Sequence, residues 1–230
     1  MSFAALPGHL ARVREEIARV QAREGLGHAV RIVAVTKGHP AAAVRAALDA
    51  GLTDVGENRV QEAIQKQDQL PPLPVRWHLV GHLQTNKAKR VPGRFALVHS
   101  VDSSRVADAL DQAARRGDGG ALAVLLQVNV AGEGQKSGCR PEDAVELAQH
   151  VAALPGLALA GLMTMAPFTD DEAEQRAAFA GLRRLQERLV QGGLPLPELS
   201  MGMSGDYGAA VAEGATMVRL GTVLFGERAL

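Results

Sequence analysis

The sequence predicts an α/β fold: a (β/α)₈ TIM barrel with one extra helix before it, forming a single domain over residues 1–230. Short apolar segments, rich in β-branched residues, alternate with helical segments eight times, as the strands and helices of such a barrel do. No long linker or internal repeat interrupts the alternation, and 230 residues suit one barrel. A doubly wound open sheet is the alternative, because the third helical segment is short.

The first predicted element is the extra helix, over residues 9–24. Its apolar residues Leu10, Val13, Ile17 and Val20 recur three or four positions apart and so share one face. The predicted strands follow in order at 31–36, 53–55, 76–80, 97–101, 121–130, 158–163, 198–201 and 217–220. The predicted helices between them cover 40–50, 59–69, 85–90, 104–116, 141–153, 171–191 and 207–213.

Residues typical of helix ends separate these elements. Gly51 and Gly117 follow two of the predicted helices, at the position where a left-handed glycine commonly ends a helix. Pro141 opens another helix, in the first turn, where a missing backbone donor costs nothing. The helix at 171–191 carries a stripe of large apolar residues, which predicts a buried face: Phe179, Leu182, Leu185 and Leu189.

Composition and charge exclude several classes of protein. Basic and acidic residues number 25 each, so the net charge of zero gives no electrostatic attraction for nucleic acid or for an anionic membrane. No apolar run has the length of a membrane span, and the N-terminus lacks the pattern of a signal peptide. One cysteine, Cys139, cannot form an internal disulfide. We therefore expect a soluble, cytoplasmic protein and a monomer.

Lys37 is the most informative residue of the chain, because it directly follows the predicted buried strand 31–36. A lysine is costly to bury without a partner, so one at this position has either a counter-charge or a reaction to perform. Only five of the 25 basic residues are lysines, and lysine, unlike arginine, forms Schiff bases. On position alone, a lysine whose amine simply reaches solvent is an equal alternative.

Polar residues gather after the carboxyl ends of the predicted strands, where (β/α)₈ barrels place their functional sites. The sequence therefore predicts a ligand site at this end of the barrel. One or more polar residues lie at or just after the end of every predicted strand, among them Lys37, Asn58, His82, Ser100, Asn129, Thr164, Ser204, Arg219 and Thr222.

Two neighbouring strand ends indicate a phosphate site. Ser204-Gly205-Asp206 opens the helix at 207–213, so backbone amides and a hydroxyl face outward there. Gly221-Thr222 follows the adjacent last strand and offers a second close approach of the backbone. Taken alone, Ser204 is equally an N-cap residue and Gly221 a turn residue. The pairing of the two loops favours phosphate.

Arg219, His78 and His82 each allow more than one interpretation. Arg219 lies one residue inside the predicted end of the last strand, where it could donate to a ring nitrogen or a carboxylate, or form a buried ion pair with Glu57. His78 and His82 lie four residues apart across a strand end. A third ligand with suitable spacing is not evident, so we do not predict a zinc site.

Six sequence blocks resemble the pyridoxal-phosphate homeostasis proteins, the YggS/PLPBP group. The most specific block is Trp77-His78-Leu79-Val80-Gly81-His82-Leu83-Gln84-Thr85-Asn86-Lys87. The others cover residues 33–37, 56–62, 161–165, 199–206 and 219–222, the last of which is followed closely by Phe225-Gly226. The resemblance spans nearly the whole chain, and its blocks stand in the family's order.

The resemblance implies a fold like the N-terminal barrel of alanine racemase, with pyridoxal 5′-phosphate (PLP) held as an internal aldimine by Lys37. It implies that Arg219 faces the pyridine nitrogen, and that Lys136 matches a lysine used in cofactor exchange. On the residues alone, a solvated surface position is the favoured interpretation of Lys136. The remaining cofactor contacts that the resemblance implies are Asn58, His82, Met203, Ser204, Gly221 and Thr222.

Three functions use a lysine and a phosphate loop of this kind. The family implies a protein that binds PLP for vitamin B6 homeostasis and delivers it to apo PLP-dependent enzymes, without amino-acid turnover. The alternative is a PLP-dependent racemase or decarboxylase, but relatives with that chemistry add a second domain and a base, commonly tyrosine. We expect no second domain here, and Tyr207 is the sole tyrosine. The third candidate is an aldolase that forms its Schiff base on Lys37 with a sugar phosphate.

Overall fold

The structure, a computed structural model, describes residues 3–117, 119–132 and 137–227. In these ranges the chain forms a closed barrel of eight parallel strands in sequence order. The pairing of the last strand with the first, with Ala34 beside Leu220, closes the barrel, so the barrel prediction is confirmed over the open sheet. The strands are β1 (Arg31–Val35), β2 (Asp54–Glu57), β3 (Arg76–Leu79), β4 (Leu97–Val101), β5 (Leu122–Gln127), β6 (Leu157–Met163), β7 (Glu198–Ser200) and β8 (Met217–Leu220).

Helices connect consecutive strands and surround the barrel. The third connection contains only the 3₁₀ helix Thr85–Arg90, as its short sequence indicated. None of the helices in the described ranges is long and apolar enough to cross a membrane. The α-helices are α1 (Leu6–Glu24), α2 (Ala42–Asp49), α3 (Val60–Gln69), α4 (Ser104–Ala114), α5 (Ala144–Ala153), α6 (Glu172–Gln191), α7 (Tyr207–Ala212) and α8 (Thr222–Phe225).

Several elements differ from the prediction. Helix α1 begins three residues early, at Leu6, and α5 begins at Ala144, so Pro141 lies in the turn before α5 and not in its first turn. Helix α4 ends at Ala114, and Gly117 does not have the positive φ of a glycine that ends a helix.

The strand predicted over 121–130 ends at Gln127, because Val128 leaves the sheet and forms an isolated bridge with Cys139. Helix α8 was not predicted, since four residues are too few to show helical periodicity. Its first amide groups lie beside the loop after β7, at the end of the barrel where the site was expected.

The extra helix α1 packs on the part of the barrel that carries the last two loops. Its predicted face is buried: Leu10, Val13 and Val20 are each at most 2% exposed. This face lies against α7 and α8. A hydrogen bond of 2.8 Å joins Nδ1 of His9 to the carbonyl oxygen of Leu224 and fixes α8 further. Helix α1 therefore supports the loops at the carboxyl ends of β7 and β8.

The interior of the barrel is mixed in polarity. Val33, Leu125 and Met217 form an apolar cluster there, together with Leu97 and Met163. Several buried polar side chains occupy the same interior, and each needs a hydrogen-bond partner because water does not reach it. They are His78, His99, Ser200 and Arg219.

Candidate functional site

Lys37 lies two residues beyond the end of β1, at the carboxyl end of the barrel, and is half-buried. The backbone on both sides of it is fixed. Before it, the amide of Thr36 donates to the carbonyl oxygen of Gly56 over 3.0 Å. After it, the amide of Gly38 donates to Oε1 of Glu62 over 2.6 Å. Gly38 has φ of +73°, a conformation that favours glycine, so the turn after Lys37 suits this residue type.

A second lysine, Lys66 of α3, binds the same segment from the outer side of the barrel. Its Nζ donates to the carbonyl oxygen of Thr36 at 2.7 Å and to Oε1 of Glu57 at 2.6 Å. A third bond, of 3.0 Å, joins it to Oε1 of Glu62. Lys66 is only 5% exposed. Burial raises the pKa of Glu57, and the nearby Lys66 and Thr36 oppose that rise by favouring the carboxylate.

The start of α8 lies against the loop after β7, where the sequence predicts a phosphate site. The amides of Gly221 and Val223 donate to Oγ of Ser204 over 3.3 and 3.2 Å. Thr222, between them, is exposed. The first amides of a helix have no acceptor within the helix, and here the amides of Gly221 and Val223 both donate to one serine hydroxyl. The hydrogen of that hydroxyl remains available to donate.

Strand pairing brings this helix start next to Lys37. Because Ala34 of β1 pairs with Leu220 of β8, the residues that follow the two strands emerge side by side. The approach is close, since a Cβ atom added to Gly221 would lie 3.4 Å from the carbonyl oxygen of Val35. An amine and a set of amide donors are thus held on neighbouring strand ends.

The loop after β7 is shaped by its own hydrogen bonds. Gly202 has φ of +93°, and an added Cβ would lie 2.6 Å from Cβ of Ala210. The amide of Met203 donates to the carboxylate of Asp206, and its carbonyl oxygen accepts from the amide of Tyr207. The Met203 amide is therefore used within the loop, while its side chain is 39% exposed.

Arg219 lies beneath these loops and is 5% exposed. Its Nη1 donates to Oγ of Ser200 over 2.8 Å, and its Nη2 donates to the carbonyl oxygen of Thr164 over 2.9 Å. Burial lowers the pKa of Arg219 to about 10, against the opposing charge of Asp206, so it stays a cation at neutral pH. The ion pair with Glu57 considered for Arg219 is wrong. Glu57 contacts α3 outside the barrel, whereas Arg219 contacts Ser200 inside it.

Asn58 and His82 line one cavity of about 380 Å³ at the ends of β2 and β3, together with Gln84 and Lys87. Nδ1 of His82 lies 3.5 Å from the carboxylate of Asp102. An added Cβ on Gly81 would come within 2.8 Å of Cα of Asn58, so a glycine at 81 lets the two loops touch. His78 points the other way, into the barrel. His82 therefore lies at the ends of the strands, whereas His78 lies in the barrel interior.

Close relatives and solved structures match nearly the whole chain. Residues 8–229 match the family model of the alanine racemase N-terminal domain. The pyridoxal phosphate homeostasis protein of Pseudomonas aeruginosa is 48% identical, over 95% of this chain and 97% of that protein. The chain belongs to the pyridoxal phosphate homeostasis protein family. The family member of Aquifex aeolicus is 40% identical over 95% of this chain and 96% of its own.

Solved structures agree with this membership. PipY of Synechococcus elongatus, solved with PLP bound, is 41% identical with a TM-score of 0.83, covering 96% of this chain and all of PipY. A protein of unknown function from Bifidobacterium adolescentis is 35% identical with a TM-score of 0.90, covering 97% and 95%. Alanine racemase of Clostridium difficile, at 18% identity and a TM-score of 0.73, matches over 57% of its own chain and shares the fold.

The structure of this pyridoxal phosphate homeostasis protein family member brings most of the predicted site residues together. Lys37, Ser204, Gly221 and Thr222 lie around the paired ends of β1, β7 and β8, with Arg219 below them. Their roles in binding a cofactor stay predictions. Lys136 lies outside the described residues.

Sequence reasoning missed the residues that support this site, Lys66 and His99 in particular. Lys66 falls three positions after the buried Ala63, and four after Glu62, which was the available signal for a buried, paired lysine. His99 sits in a strand whose five residues are all buried. A histidine in such a strand requires polar partners inside the barrel, and this signal was available in the sequence.

Proposed function

We propose that this protein binds PLP through Lys37 and serves PLP homeostasis, holding the cofactor without turning over amino acids. The observation that carries the proposal is the position of Lys37 beside the start of α8, with Arg219 beneath both. An aldehyde and a phosphate on one small ring system need an amine and an anion site at a fixed separation. Two adjacent strand ends supply both.

The phosphate would lie at the start of α8. In this arrangement Ser204 accepts from the amides of Gly221 and Val223, which leaves its hydroxyl hydrogen to donate to a phosphate oxygen. The exposed Thr222 adds a hydroxyl at the first turn of the helix. A dianionic phosphate is favoured there because helix N-termini carry partial positive charge. The PLP-bound relative PipY supports PLP as the group held.

The ring nitrogen would face Arg219. Two of the five guanidinium N–H groups bind Ser200 and the carbonyl oxygen of Thr164, which leaves others for a ligand. Because Arg219 is a cation and not a carboxylate, it disfavours protonation of a pyridine nitrogen beside it. A PLP ring in that state withdraws electrons weakly. This supports binding over amino-acid chemistry.

Lys37 would hold PLP by a reversible bond. Its neutral amine attacks the aldehyde carbon, a carbon–nitrogen double bond forms to Nζ, and one water molecule leaves; addition of water reverses the step. Lys66, Glu57 and Glu62 orient the segment on either side of Lys37, so the amine is presented at one end of the barrel. The half-exposed position of Lys37 suits loading and release.

The position of Tyr207 supports the same conclusion. A racemase or decarboxylase needs a base opposite the lysine, and this sequence contains one tyrosine. Tyr207 lines a cavity of about 470 Å³ with Glu16 and Arg19 of α1. Burial raises the pKa of Tyr207, and Glu16 adds to the rise. The phenol thus faces the α1 side, which does not favour the enzyme alternative.

The receivers of the cofactor would be apo PLP-dependent enzymes in the cytoplasm, with this protein acting as a monomer. Release to another protein needs an open site, and the loop residues Met203 and Thr222 are exposed at its rim. Lys136, proposed to assist exchange, stays a prediction. Holo-protein should pass PLP to an apo-enzyme faster than it loses PLP to buffer.

The binding proposal is tested by borohydride reduction of the PLP-loaded protein. An absorption band near the edge of the visible range should appear on loading, and should distinguish PLP from a sugar phosphate. After reduction, peptide mapping should place the label on Lys37, and Lys37→Arg should abolish it. A label found mainly on Lys136 or Lys87 would contradict the assignment.

The absence of turnover is tested separately, on the same loaded protein. Amino acids are added, and racemisation, decarboxylation and transamination are followed. We expect none. Sustained turnover at roughly one per second or faster would favour the enzyme alternative.

A further inference from the structure

A continuous chain of buried hydrogen bonds crosses the interior of the barrel beneath the site. Oδ1 of Asp54 lies 2.9 Å from Nε2 of His78, and Nδ1 of His78 lies 2.9 Å from Nε2 of His99. Nδ1 of His99 lies 2.8 Å from Oγ of Ser200, which accepts from Nη1 of Arg219. All five residues are at most 5% exposed. We call these residues, Asp54, His78, His99, Ser200 and Arg219, the interior relay.

The two ends of the interior relay fix the direction of every bond between them. Arg219 can only donate, and the carboxylate of Asp54 can only accept. With neutral histidines, His78 therefore carries its proton on Nε2 and accepts on Nδ1. His99 in turn donates from Nε2 and accepts on Nδ1, so the Ser200 hydroxyl donates to it. The hydrogen of Ser200 thus points away from Arg219, which leaves its oxygen free to accept from the guanidinium.

Charges around the interior relay favour this neutral arrangement. Arg76 donates to Oδ2 of Asp54 over 2.7 Å and keeps that carboxylate ionised. Burial holds the pKa of His99 well below its ordinary value, with smaller contributions from His78, Arg219 and Arg31. Arg31 is itself paired with Glu198, and Asp206 faces Arg219 from the loop after β7.

An added proton would disturb the end that meets Arg219. If one histidine became charged, Nδ1 of His99 would carry a hydrogen and donate to Ser200. Ser200 would then accept from two donors, and its own hydrogen would lose the acceptor that Nδ1 of His99 provides. The protonation state of His78 and His99 is therefore coupled to the hydrogen bond between Ser200 and Arg219. Apolar side chains in place of these residues would fill the barrel interior but would not couple the histidines to Arg219.

We propose that Asp54, His78, His99 and Ser200 are positioning residues that orient Arg219 through the barrel interior, and that they thereby set the electronic state of the PLP ring. The inference rests on the proposed function, because it requires the ring nitrogen to face Arg219. Asp54 is four hydrogen bonds from Arg219 and cannot contact the ring. An effect of Asp54 on the bound ring would therefore be indirect, and the interior relay is the hydrogen-bonded connection between them.

The first test uses the protein without PLP and needs no variant. Long-range proton–nitrogen NMR spectra of histidine-labelled protein report which ring nitrogen carries the proton. For His78 and His99 we expect a proton on Nε2 and a bare Nδ1, and for His99 this state should be unchanged between about pH 6 and about pH 8. A proton on Nδ1 of His99 in this range would overturn the interior relay.

The second test compares Asp54→Asn with Asp68→Asn in the PLP-loaded protein. The amide introduced by Asp54→Asn would be able to donate as well as accept, so His78 should lose its single tautomer and Arg219 its fixed acceptor. We expect Asp54→Asn to shift the absorption maximum of bound PLP and to speed its dissociation about five- to ten-fold, the worth of one ordinary hydrogen bond. Asp68 forms an exposed pair with Arg94, off the relay, so Asp68→Asn should change neither.

The outcomes separate the inference from the function it rests on. If wild-type protein gives no PLP absorption band, the proposed function fails, and the NMR spectra alone decide whether the interior relay exists. If the band is present and Asp54→Asn matches Asp68→Asn in absorption and dissociation, the positioning role is overturned. Circular dichroism and urea unfolding show whether each variant is folded under the conditions used.

Discussion

Nζ of Lys66 lies 2.6 Å from Oε1 of Glu57, in a buried ion pair directly behind the residue that precedes Lys37. The hydroxyl of Thr36 also donates to the same carboxylate oxygen, over 2.5 Å. Oε2 of Glu57 is buried, with no hydrogen-bond partner in the described part of the chain. The negative charge of Glu57 is therefore balanced mainly by Lys66. Together these two residues hold the segment that carries Lys37.

Replacing Lys66 with Met should destabilise the protein strongly. The change leaves the buried carboxylate of Glu57 without its counter-charge, which typically costs about 3–5 kcal/mol. Urea unfolding followed by circular dichroism measures the loss. Lys89→Met is the matched control, because Lys89 is exposed and its removal should change stability by less than about 0.5 kcal/mol.

A double variant, Glu57→Gln with Lys66→Met, tests the cause of that loss. Removing the buried charge together with its partner should restore much of the stability, because the penalty comes from the uncompensated carboxylate. If the free-energy losses of the two single variants simply add in the double variant, the ion pair is not the source of the effect.

Replacing Ser204 with Ala should weaken PLP binding, on the proposed function. The variant removes the oxygen on which the amides of Gly221 and Val223 converge, and the hydroxyl that would donate to the phosphate. We expect a loss of about 1–2 kcal/mol in binding free energy, measured by equilibrium dialysis. Ser104→Ala, at an exposed position, is the control. Unchanged affinity in Ser204→Ala combined with Thr222→Val would place the phosphate elsewhere.

Replacing Gly81 with Ala should disturb the loop that carries Asn58. The added methyl group would overlap the backbone of Asn58, with Cα only 2.8 Å away. Backbone cannot move as a flexible side chain does, so we expect a loss of about 1–3 kcal/mol in unfolding free energy. Gly8→Ala is the control, since nothing lies within 4 Å of the added atom and alanine favours the helix. A neutral Gly81→Ala would show that the two loops separate easily.

Protonation of Asp54 should destabilise the protein in acid. Burial by itself raises the pKa of Asp54, but hydrogen bonds from His78 and Arg76 outweigh it and lower the pKa to about 2, against 3.8 ordinarily. A lowered pKa stabilises the folded state above the unfolded pKa, and the stabilisation is lost as the pH falls through the folded one. The amount is about 2 kcal/mol.

The measurement compares wild type with Asp54→Asn by urea unfolding across acidic pH. The advantage of the wild type should be constant above about pH 5 and decline towards about pH 2. Asp68→Asn, in its exposed pair with Arg94, serves as the control. A wild-type advantage that does not change with pH would mean that Asp54 contributes by packing and not by its charge.

Local patterns in the sequence predicted the barrel and placed several candidate site residues at one end of it. Alternation of apolar strands with helices of period 3.6 is a property of consecutive residues, and it determined the order of the elements. The position of Lys37 after a buried strand, and of Ser204 and Thr222 after the last two strands, followed from the same pattern, because all parallel strands of a barrel end on one face. These positions needed no knowledge of side-chain contacts.

Only the tertiary structure decided which polar residues support that site. Lys66 pairs with Glu57 because α3 packs on the outer face of β2, and His99 meets Ser200, 101 residues later, because β4 and β7 face each other across the barrel interior. Hydrogen bonds and ion pairs reach only a few ångströms. Their partners are therefore set by which elements become neighbours in space, and not by the residues adjacent to them in the chain.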